Sequence, residues 1–250
     1  MRRARHDNTE SVDNYLKAIL VLEEAVLDDA EGTDMAGKGR AAGTRVTVKA
    51  LAEELQVAPA SVTNMLQKLA GAAASPVEYE RHRGVRLSRT GRRRALEVVR
   101  HHRLIETFLY EILDYPIDEV HEEAERLEHF ISERFEERIA AKLGHPKTDP
   151  HGHAIPAMDG KMAPRDTMAL AEVDRDGTFL VESVGDRDAE NLRRMEARGV
   201  VPGARIVVTR HAGADGLQVR IGRGSRPFKL TGEVAREVRI ARPASKKQQG

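Results

Sequence analysis

The sequence predicts a mainly α chain with small β parts, and three observations support this fold class. Apolar residues recur at helical spacing in several segments between Glu10 and Ile131. Within this region Val77 to Ser88 alternates like a strand, turns at Arg83-Gly84 and returns as a second strand. From Met168 onward short strand-like runs are separated by Gly-containing turns, which is typical of a small barrel.

The composition indicates a modular protein. The chain has 250 residues, of which 4% are aromatic, and it contains no Trp. Such a chain forms two or three modest cores more readily than one large core. It lacks Cys, a signal-peptide core and any apolar run long enough to span a bilayer. We therefore expect a cytoplasmic protein that has no membrane partner.

Charge is sorted along the chain, although the formal net charge is only +1. Seven arginines lie between Tyr79 and Arg94, whereas Ile117 to Ile139 holds nine acidic residues and three arginines. The first region suits a polyanion and the second suits cations.

The N-terminal region begins with a predicted helix and an insertion. Glu10 to Val26 carries apolar residues at helical spacing, with Thr9 or Ser11 as a candidate N-cap. Residues 28–45 are rich in Gly, Ala and charge, which predicts a flexible insertion.

A helix-turn-helix is predicted after the insertion. Thr47 can cap a helix from Val48 to Leu55, and a second helix runs from Ala60 to Leu69. Small and polar side chains at the start and on the exposed side of this second helix suit base edges and phosphates in a major groove. These candidate DNA-binding residues are Pro59, Ala60, Ser61, Thr63, Asn64 and Lys68. A plain helical hairpin is the alternative, since such signatures also occur without DNA binding.

The strand pair that follows has the form of a basic wing. Arg81 and Arg83 lie at its turn, and Thr90-Gly91 starts a long helix with Arg92 to Arg94 in its first turns. Beside a recognition helix these arginines would contact DNA phosphates, so binding should weaken steeply with salt. An arginine-rich hairpin that only faces solvent is the alternative.

The acidic region predicts a metal site on two helices. At 100° per residue, one side of the helix that begins at Val120 carries imidazoles and carboxylates: His121, Glu125, Glu128 and His129. His102 and Glu106 repeat the pattern upstream at i and i+4. Imidazole and carboxylate without thiolate suit manganese, ferrous iron, cobalt, nickel or zinc, and ligand softness alone does not choose among them. The alternative is a solvated, salt-bridged helix face.

Two further segments complete the chain. The loop from Leu143 to Pro156 contains His145, His151 and His153, which could bind metal but are explained more simply as turn residues. Beyond it, strands are predicted at 178–184, 205–209, 217–221 and 227–230, with a short helix at 189–198.

Assembled in this order, the segments resemble the diphtheria toxin repressor family of metal-dependent transcriptional regulators, and its manganese-sensing branch in particular. The resemblance covers Thr9 to about Ile240 apart from the insertion. It rests on five motifs, at residues 61–69, 79–91, 101–109, 120–129 and 150–156.

The resemblance implies a domain organisation and partners. The expected domains are a winged helix-turn-helix at 1–94, a helical metal-binding and dimerisation domain at 95–165, an SH3-like, FeoA-type barrel at 166–242, and a tail at 243–250. The family's members are repressors of metal-transport genes, so a homodimer on double-stranded operator DNA is expected. The candidate dimer surface is apolar: Phe108, Leu109, Ile112, Leu113, Tyr115 and Pro116.

The resemblance also implies a ligand set. Its members are His102, Glu106, His121, Glu125, Glu128, His129 and Asn14, with Asp188 and Asn191 as further oxygen donors from the barrel. The iron-sensing branch has Cys at the position of Glu125, and a carboxylate there suits Mn(II) better than a thiolate would. Fe(II), Co(II), Zn(II) and Cd(II) are the other candidate metals. The manganese branch has acidic ligands at the two positions that Asn14 and Lys17 occupy in this chain. The side chain of Lys17 cannot coordinate an ion while it is charged.

This interpretation implies a mechanism, and three other functions compete with it. Bound ions would fix the winged domain relative to the dimerisation domain, and thereby the spacing of the two recognition helices. Because a ligating imidazole must be neutral, metal and DNA binding should weaken below about pH 6.5. The rivals are a di-metal enzyme, a metal buffer and a metal-responsive activator.

Overall fold

The computed structural model describes residues 10–24, 45–163, 165–209, 217–222 and 224–242. The predicted insertion, apart from Arg45, and the predicted tail lie outside these residues. The chain divides into two compact units, one formed by Met1–His101 with Pro156–Lys161 and the other by the remainder. No helix in the described ranges combines the length and the apolar character needed to cross a membrane.

The first unit contains the predicted helix-turn-helix and wing. Its elements are α1 (residues 10–24), α2 (Val48–Glu54), α3 (Pro59–Ala70), β1 (Val77–Glu80), β2 (Gly84–Leu87) and the start of α4 (Arg89–Leu113). Thr47 caps α2 as predicted, because its side chain accepts a hydrogen bond from the backbone N–H of Ala50. The apolar face of α3 is buried through Val62, Leu66 and Leu69. β1 and β2 pair antiparallel from Val77 opposite Leu87 to Glu80 opposite Gly84.

Buried charges connect α1 to the wing and to the first turns of α4. The Glu23 carboxylate accepts hydrogen bonds from the backbone N–H of Leu87 at 2.8 Å and from Arg92 at 3.0 Å. Burial raises the pKa of Glu23, although these two partners act in the opposite direction. Asp13 similarly pairs with Arg94 at 2.5 Å. Part of the arginine run therefore has a structural role inside this unit.

The helical part of the second unit contains α5 (Val120–Leu127) and α6 (Glu133–Lys142) packed on α4. Ile105 and Leu109 of α4 pack against Val120 and Ala124 of α5. Leu104 packs against Ile139 and Ala140 of α6 and against Ile155.

The acidic run is divided into two helices. α5 ends at Leu127 with Glu128 as its C-cap, and residues 128–130 form a turn. Ser132 then accepts a hydrogen bond from the N–H of Phe135 and starts α6, which the sequence analysis did not predict.

The remainder of the second unit is an antiparallel sheet with two short helices. Its strands, in the order β3-β8-β4-β5-β6-β7, are β3 (Thr167–Ala169), β4 (Gly177–Ser183), β5 (Arg205–Thr209), β6 (Leu217–Ile221), β7 (Phe228–Leu230) and β8 (Arg239–Ala241). The helices are α7 (Ala189–Ala197) and α8 (Gly232–Glu237). Alternate strand residues such as Val181, Ile206 and Val219 fill its core. The predicted fold class, mainly α with small β parts, is confirmed.

Candidate metal centre and nucleic-acid interface

A buried imidazole on α4 lies between two buried carboxylates. His102 Nε2 is 2.9 Å from Glu106 Oε1, one turn along the same helix. The opposite ring nitrogen, Nδ1, is 2.6 Å from Glu128 Oε2 at the end of α5. Both carboxylate side chains are fully buried, so neither is satisfied by solvent.

The other predicted donors of α5 surround this pair. His121 Nδ1 is 3.1 Å from Glu106 Oε1, and Glu125 Oε1 is 4.0 Å from His102 Nδ1. His129 Nε2 is 3.4 Å from Glu128 Oε1. The structure thus brings together all the donors that the sequence placed on the two helices. We call this set the helical cluster: His102, Glu106, His121, Glu125, Glu128 and His129.

A second group of donors comes from a loop and from the end of β4. His153 Nδ1 is 3.4 Å from Asp149 Oδ2 and 3.5 Å from Asp186 Oδ2. His151 Nδ1 lies 3.8 Å from Glu106 Oε1 and so adjoins the helical cluster. We call the second group the loop cluster: Asp149, His151, His153 and Asp186. From the sequence, the two histidines are explained as turn residues and neither aspartate is predicted as a donor. The alternation Asp149-x-His151-x-His153 is the signal that could have indicated part of this group.

The backbone holds this loop against β4. Gly152 has φ +90°, and a Cβ on it would lie 2.1 Å from the carbonyl oxygen of Glu182, so only glycine fits. The N–H of Val184 donates to the carbonyl of His151 at 2.9 Å. His151 Nε2 lies 3.1 Å from the carbonyl of Ile117, which identifies Nε2 as the protonated nitrogen and leaves Nδ1 directed at the cluster.

The imidazoles and carboxylates of the two clusters shift each other's pKa values. Burial would raise the pKa of Glu106, but His102, His121 and His151 hold it well below its ordinary value. Burial would likewise lower the pKa of His151, yet Glu106, Asp186 and Asp149 raise it to about 9. For Asp186, burial is outweighed chiefly by His153, so its pKa is lowered. Cations are therefore strongly favoured among these carboxylates.

The donor set fits a divalent transition metal. Groups of three donors have one ligand atom each within 4.8 Å of the others, including His102–Glu106–His121, His102–Glu125–Glu128, Glu106–His151–Asp186 and Asp149–His151–His153. Three of the buried donor atoms, Glu106 Oε2, Asp149 Oδ2 and His151 Nδ1, make no hydrogen bond within the described part of the chain. Buried polar atoms are rarely left without a hydrogen-bond partner, and bound metal ions would interact with these three atoms. The solvated-face alternative does not account for this burial.

The two barrel residues implied as ligands, Asp188 and Asn191, hydrogen-bond to each other at the start of α7, and their assignment as ligands stays a prediction. Asp188 Oδ1 accepts hydrogen bonds from the backbone N–H groups of Glu190 and Asn191, both at 3.0 Å, and so caps α7. Its second oxygen accepts from the Asn191 side chain at 2.9 Å. The barrel also presents Asp186, two residues earlier, with its Oδ2 atom 3.5 Å from Nδ1 of His153.

Asn14 belongs to the first unit, on α1. Its amide oxygen is buried, and no described residue hydrogen-bonds to it. Lys17 follows one turn later and is half-buried. The assignment of Asn14 as a ligand stays a prediction.

The candidate DNA-binding residues form one exposed set in the first unit. On α3 and at its start, Pro59, Ala60, Ser61, Asn64 and Lys68 are exposed, whereas Thr63 is half-buried. The Thr63 hydroxyl donates to the carbonyl of Pro59 at 3.0 Å. Arg81 and Arg83 are exposed on the turn of the wing, where Arg83 pairs with Glu80 at 2.8 Å.

Comparison with protein families gives three matches in the same order as the structural parts. The N-terminal DNA-binding domain of iron-dependent repressors matches residues 42–85. The metal-binding and dimerisation domain of iron-dependent repressors matches residues 88–157, and the FeoA domain matches residues 168–242.

Individual relatives agree with these matches. The iron-dependent repressor IdeR of Mycobacterium tuberculosis is 30% identical over 203 residues, which cover 76% of this chain and 86% of that protein. The structure of a manganese-dependent transcriptional repressor in complex with manganese has a TM-score of 0.76 and 32% identity, and covers 92% of this chain and 99% of that one. The structure of ScaR with bound Zn²⁺ has a TM-score of 0.72 at 27% identity and covers 93% of this chain and 99% of that one.

Proposed function

Because this chain belongs to the diphtheria toxin repressor family of metal-dependent transcriptional repressors, we propose that it binds operator DNA as a homodimer when divalent metal ions occupy the helical and loop clusters. The observation that carries the proposal is the burial of Glu106 and Glu128 around His102. Buried carboxylates at these distances need a cation, and a regulator can exploit that need as a switch.

The helical cluster supports Mn(II) as the first candidate metal, with Fe(II) second. Glu125, Glu128 and Glu106 supply carboxylate oxygens, and no described donor is a thiolate, since the chain has no Cys. Such oxygen-rich sets suit Mn(II), whose place at the low end of the general affinity order makes cellular availability part of its selection. A bound dication supplies the positive charge that lets these carboxylates converge. Asn14 is proposed as an additional amide donor on the basis of the resemblance.

The DNA-binding part of the proposal rests on α3 and the wing. Ser61 and Asn64 are exposed on a helix whose other face is buried, which suits contact with base edges in a major groove. Arg81 and Arg83 on the wing are proposed to contact phosphates. A homodimer would present two such helices to half-sites about one helical turn, or a multiple of it, apart.

The proposed dimer surface is narrower than the sequence predicted. Leu109 is only 4% exposed and packs within its own unit against Val120 and Ala124, and Phe108 packs against a second internal core. Ile112 and Leu113 at the end of α4 remain exposed. Because exposed apolar residues in a group mark interaction surfaces, we propose these two as dimer contacts.

Two rival functions receive no support from the relatives. The matched proteins are named as repressors, so the chain is a regulator and not an enzyme. A metal buffer would not need the recognition helix and the wing of the first unit, whose exposed residues are largely polar and basic.

The experiment is a titration of the protein onto its own upstream DNA with Mn(II) or Fe(II), using wild type, Glu128→Gln and Glu122→Gln. Glu128→Gln preserves shape but removes a buried charge beside His102, so it should abolish metal-dependent DNA binding. Glu122 is exposed on the same helix and pairs with Arg126, so Glu122→Gln should behave as wild type. DNA binding that is equally strong with and without metal would contradict the proposal.

A further inference from the structure

The loop cluster contains an imidazole to which the resemblance assigns no role. His153 closes the outer side of the loop, with its side chain 27% exposed, whereas Asp149 and His151 are fully buried. Its backbone N–H donates to Asp149 Oδ1 at 2.9 Å, which fixes the spacing between the two residues. Asp149 Oδ2 is then left facing the His153 ring, without a hydrogen bond from the described residues.

The ring of His153 is directed at two carboxylates from different elements. Its Nδ1 lies 3.4 Å from Asp149 Oδ2 in the loop and 3.5 Å from Asp186 Oδ2 after β4. These three atoms are close enough together that small shifts of the side chains would let all of them bind one metal ion. Asp149, His151 and His153 also have one ligand atom each within 4.8 Å of the others, close enough to bind a single ion.

We propose that His153 is a metal ligand of the loop cluster, and that its nitrogen shifts the preference of this cluster from Mn(II) toward Fe(II), Co(II) and Zn(II). The inference rests on the proposed function, since it takes the clusters to be metal sites. With His153 the loop cluster offers imidazoles from His151 and His153 beside the two aspartates. Without His153 it would offer a single imidazole and would favour metals that prefer oxygen ligands.

A neighbouring arginine strengthens this preference. Arg103 Nε is 3.6 Å from Asp149 Oδ2, and the Arg103 guanidinium also donates to the carbonyl of Ala154 in the same loop. Its positive charge offsets part of the negative charge of Asp149. A metal such as Mn(II), which is held largely by anionic oxygen, therefore gains less here than a metal that is held by neutral nitrogen lone pairs.

The test uses Co(II) as the probe, because its visible absorption reports coordination number and nitrogen ligation. The full chain is stripped of metal with a chelator and titrated with Co(II), alone and in competition with Mn(II). The Glu128→Gln background removes one donor of the helical cluster, and the difference between this background and its His153 variants reports the contribution of the loop cluster. In this background His153→Ala removes the donor, and His153→Asn offers an amide oxygen at similar reach. His145→Asn, at an exposed histidine of the same loop, is the matched control.

His153→Ala should weaken Co(II) binding at least about tenfold, change the Co(II) spectrum, and affect Mn(II) affinity less. His153→Asn should lower the preference for Co(II) over Mn(II), and His145→Asn should change neither. An unchanged Co(II) affinity and spectrum in His153→Ala overturns the inference. If the wild-type protein still shows metal-dependent DNA binding in that case, only the role of His153 fails. If it binds no metal at all, the proposed function fails as well.

Discussion

At the scale of single residues, Glu106 is the carboxylate of the helical cluster that adjoins the loop cluster. Its Oε1 atom lies within 3.1 Å of ring nitrogens of His102 and His121, and 3.8 Å from Nδ1 of His151. The consequence for His151 is a pKa of about 9 in the absence of metal, despite burial. The expectation that protons compete with metal only below about pH 6.5 assumed an ordinary imidazole, and these neighbours extend the competition into the alkaline range.

A pH-dependent stability follows for the metal-free protein. The pKa of His151 in the folded state lies above its unfolded value of about 6.5, so its stabilising contribution is complete below that pH and is lost as pH rises through about 9. The full contribution is at most roughly 3 kcal/mol. Urea unfolding in chelator should show wild type losing stability relative to His151→Gln between pH 6.5 and pH 9. Parallel curves for the two proteins over that range would contradict the assignment.

At the scale of elements, the sequence predicted the helices that carry metal donors but not where each ends. Periodicity locates α4 and α5 because their apolar residues face a core, whereas the break after Leu127 depends on the local cap at Ser132. A carboxylate before a helix serves equally as ligand or as N-cap, so the sequence does not distinguish these two roles for Asp188. Asp186 joins the loop cluster only through the packing of the loop on β4, a long-range contact that spacing along the chain does not encode.

The loop offers a matched pair of glycine substitutions. Gly144 and Gly152 both have positive φ, +71° and +90°, but only a Cβ at Gly152 would clash, with the Glu182 carbonyl at 2.1 Å. Gly144→Ala should therefore cost about 1 kcal/mol of strain, and Gly152→Ala about 3 kcal/mol or more. Gly152→Ala should also weaken metal binding by the loop cluster, because it displaces His151 and His153. Thermal unfolding and Co(II) titration measure the two effects, and equal behaviour of the two variants would refute the role assigned to the loop.

At the scale of the whole molecule, the candidate DNA-binding residues all belong to the first unit and the two metal clusters to the second. The relatives establish that such chains are repressors, so metal binding and DNA binding must be linked thermodynamically. The sorting of arginines and acids along the chain predicted separate regions for a polyanion and for cations, whereas the three expected domains at 1–94, 95–165 and 166–242 stay a prediction.

DNA binding should separate the roles of the wing and of α3. Arg81→Ala removes a proposed phosphate contact, so it should weaken binding to all sequences alike and reduce the salt dependence by about one ion. Asn64→Ala removes a proposed base contact and should cost about 1–3 kcal/mol at the operator, with little effect on unrelated DNA. Fluorescence anisotropy at several salt concentrations measures both. A loss of specificity in Arg81→Ala, with the salt dependence unchanged, would reverse these assignments.

If metal occupancy and operator binding are linked, calorimetric titration of Mn(II) into the protein should give different affinities with and without operator DNA. Linkage requires that the operator tighten Mn(II) binding by the same factor by which Mn(II) tightens operator binding. We predict a tightening of about 5- to 150-fold for wild type, and none for Glu128→Gln. An Mn(II) affinity that is the same with and without operator DNA, in a protein that binds both, would contradict the account.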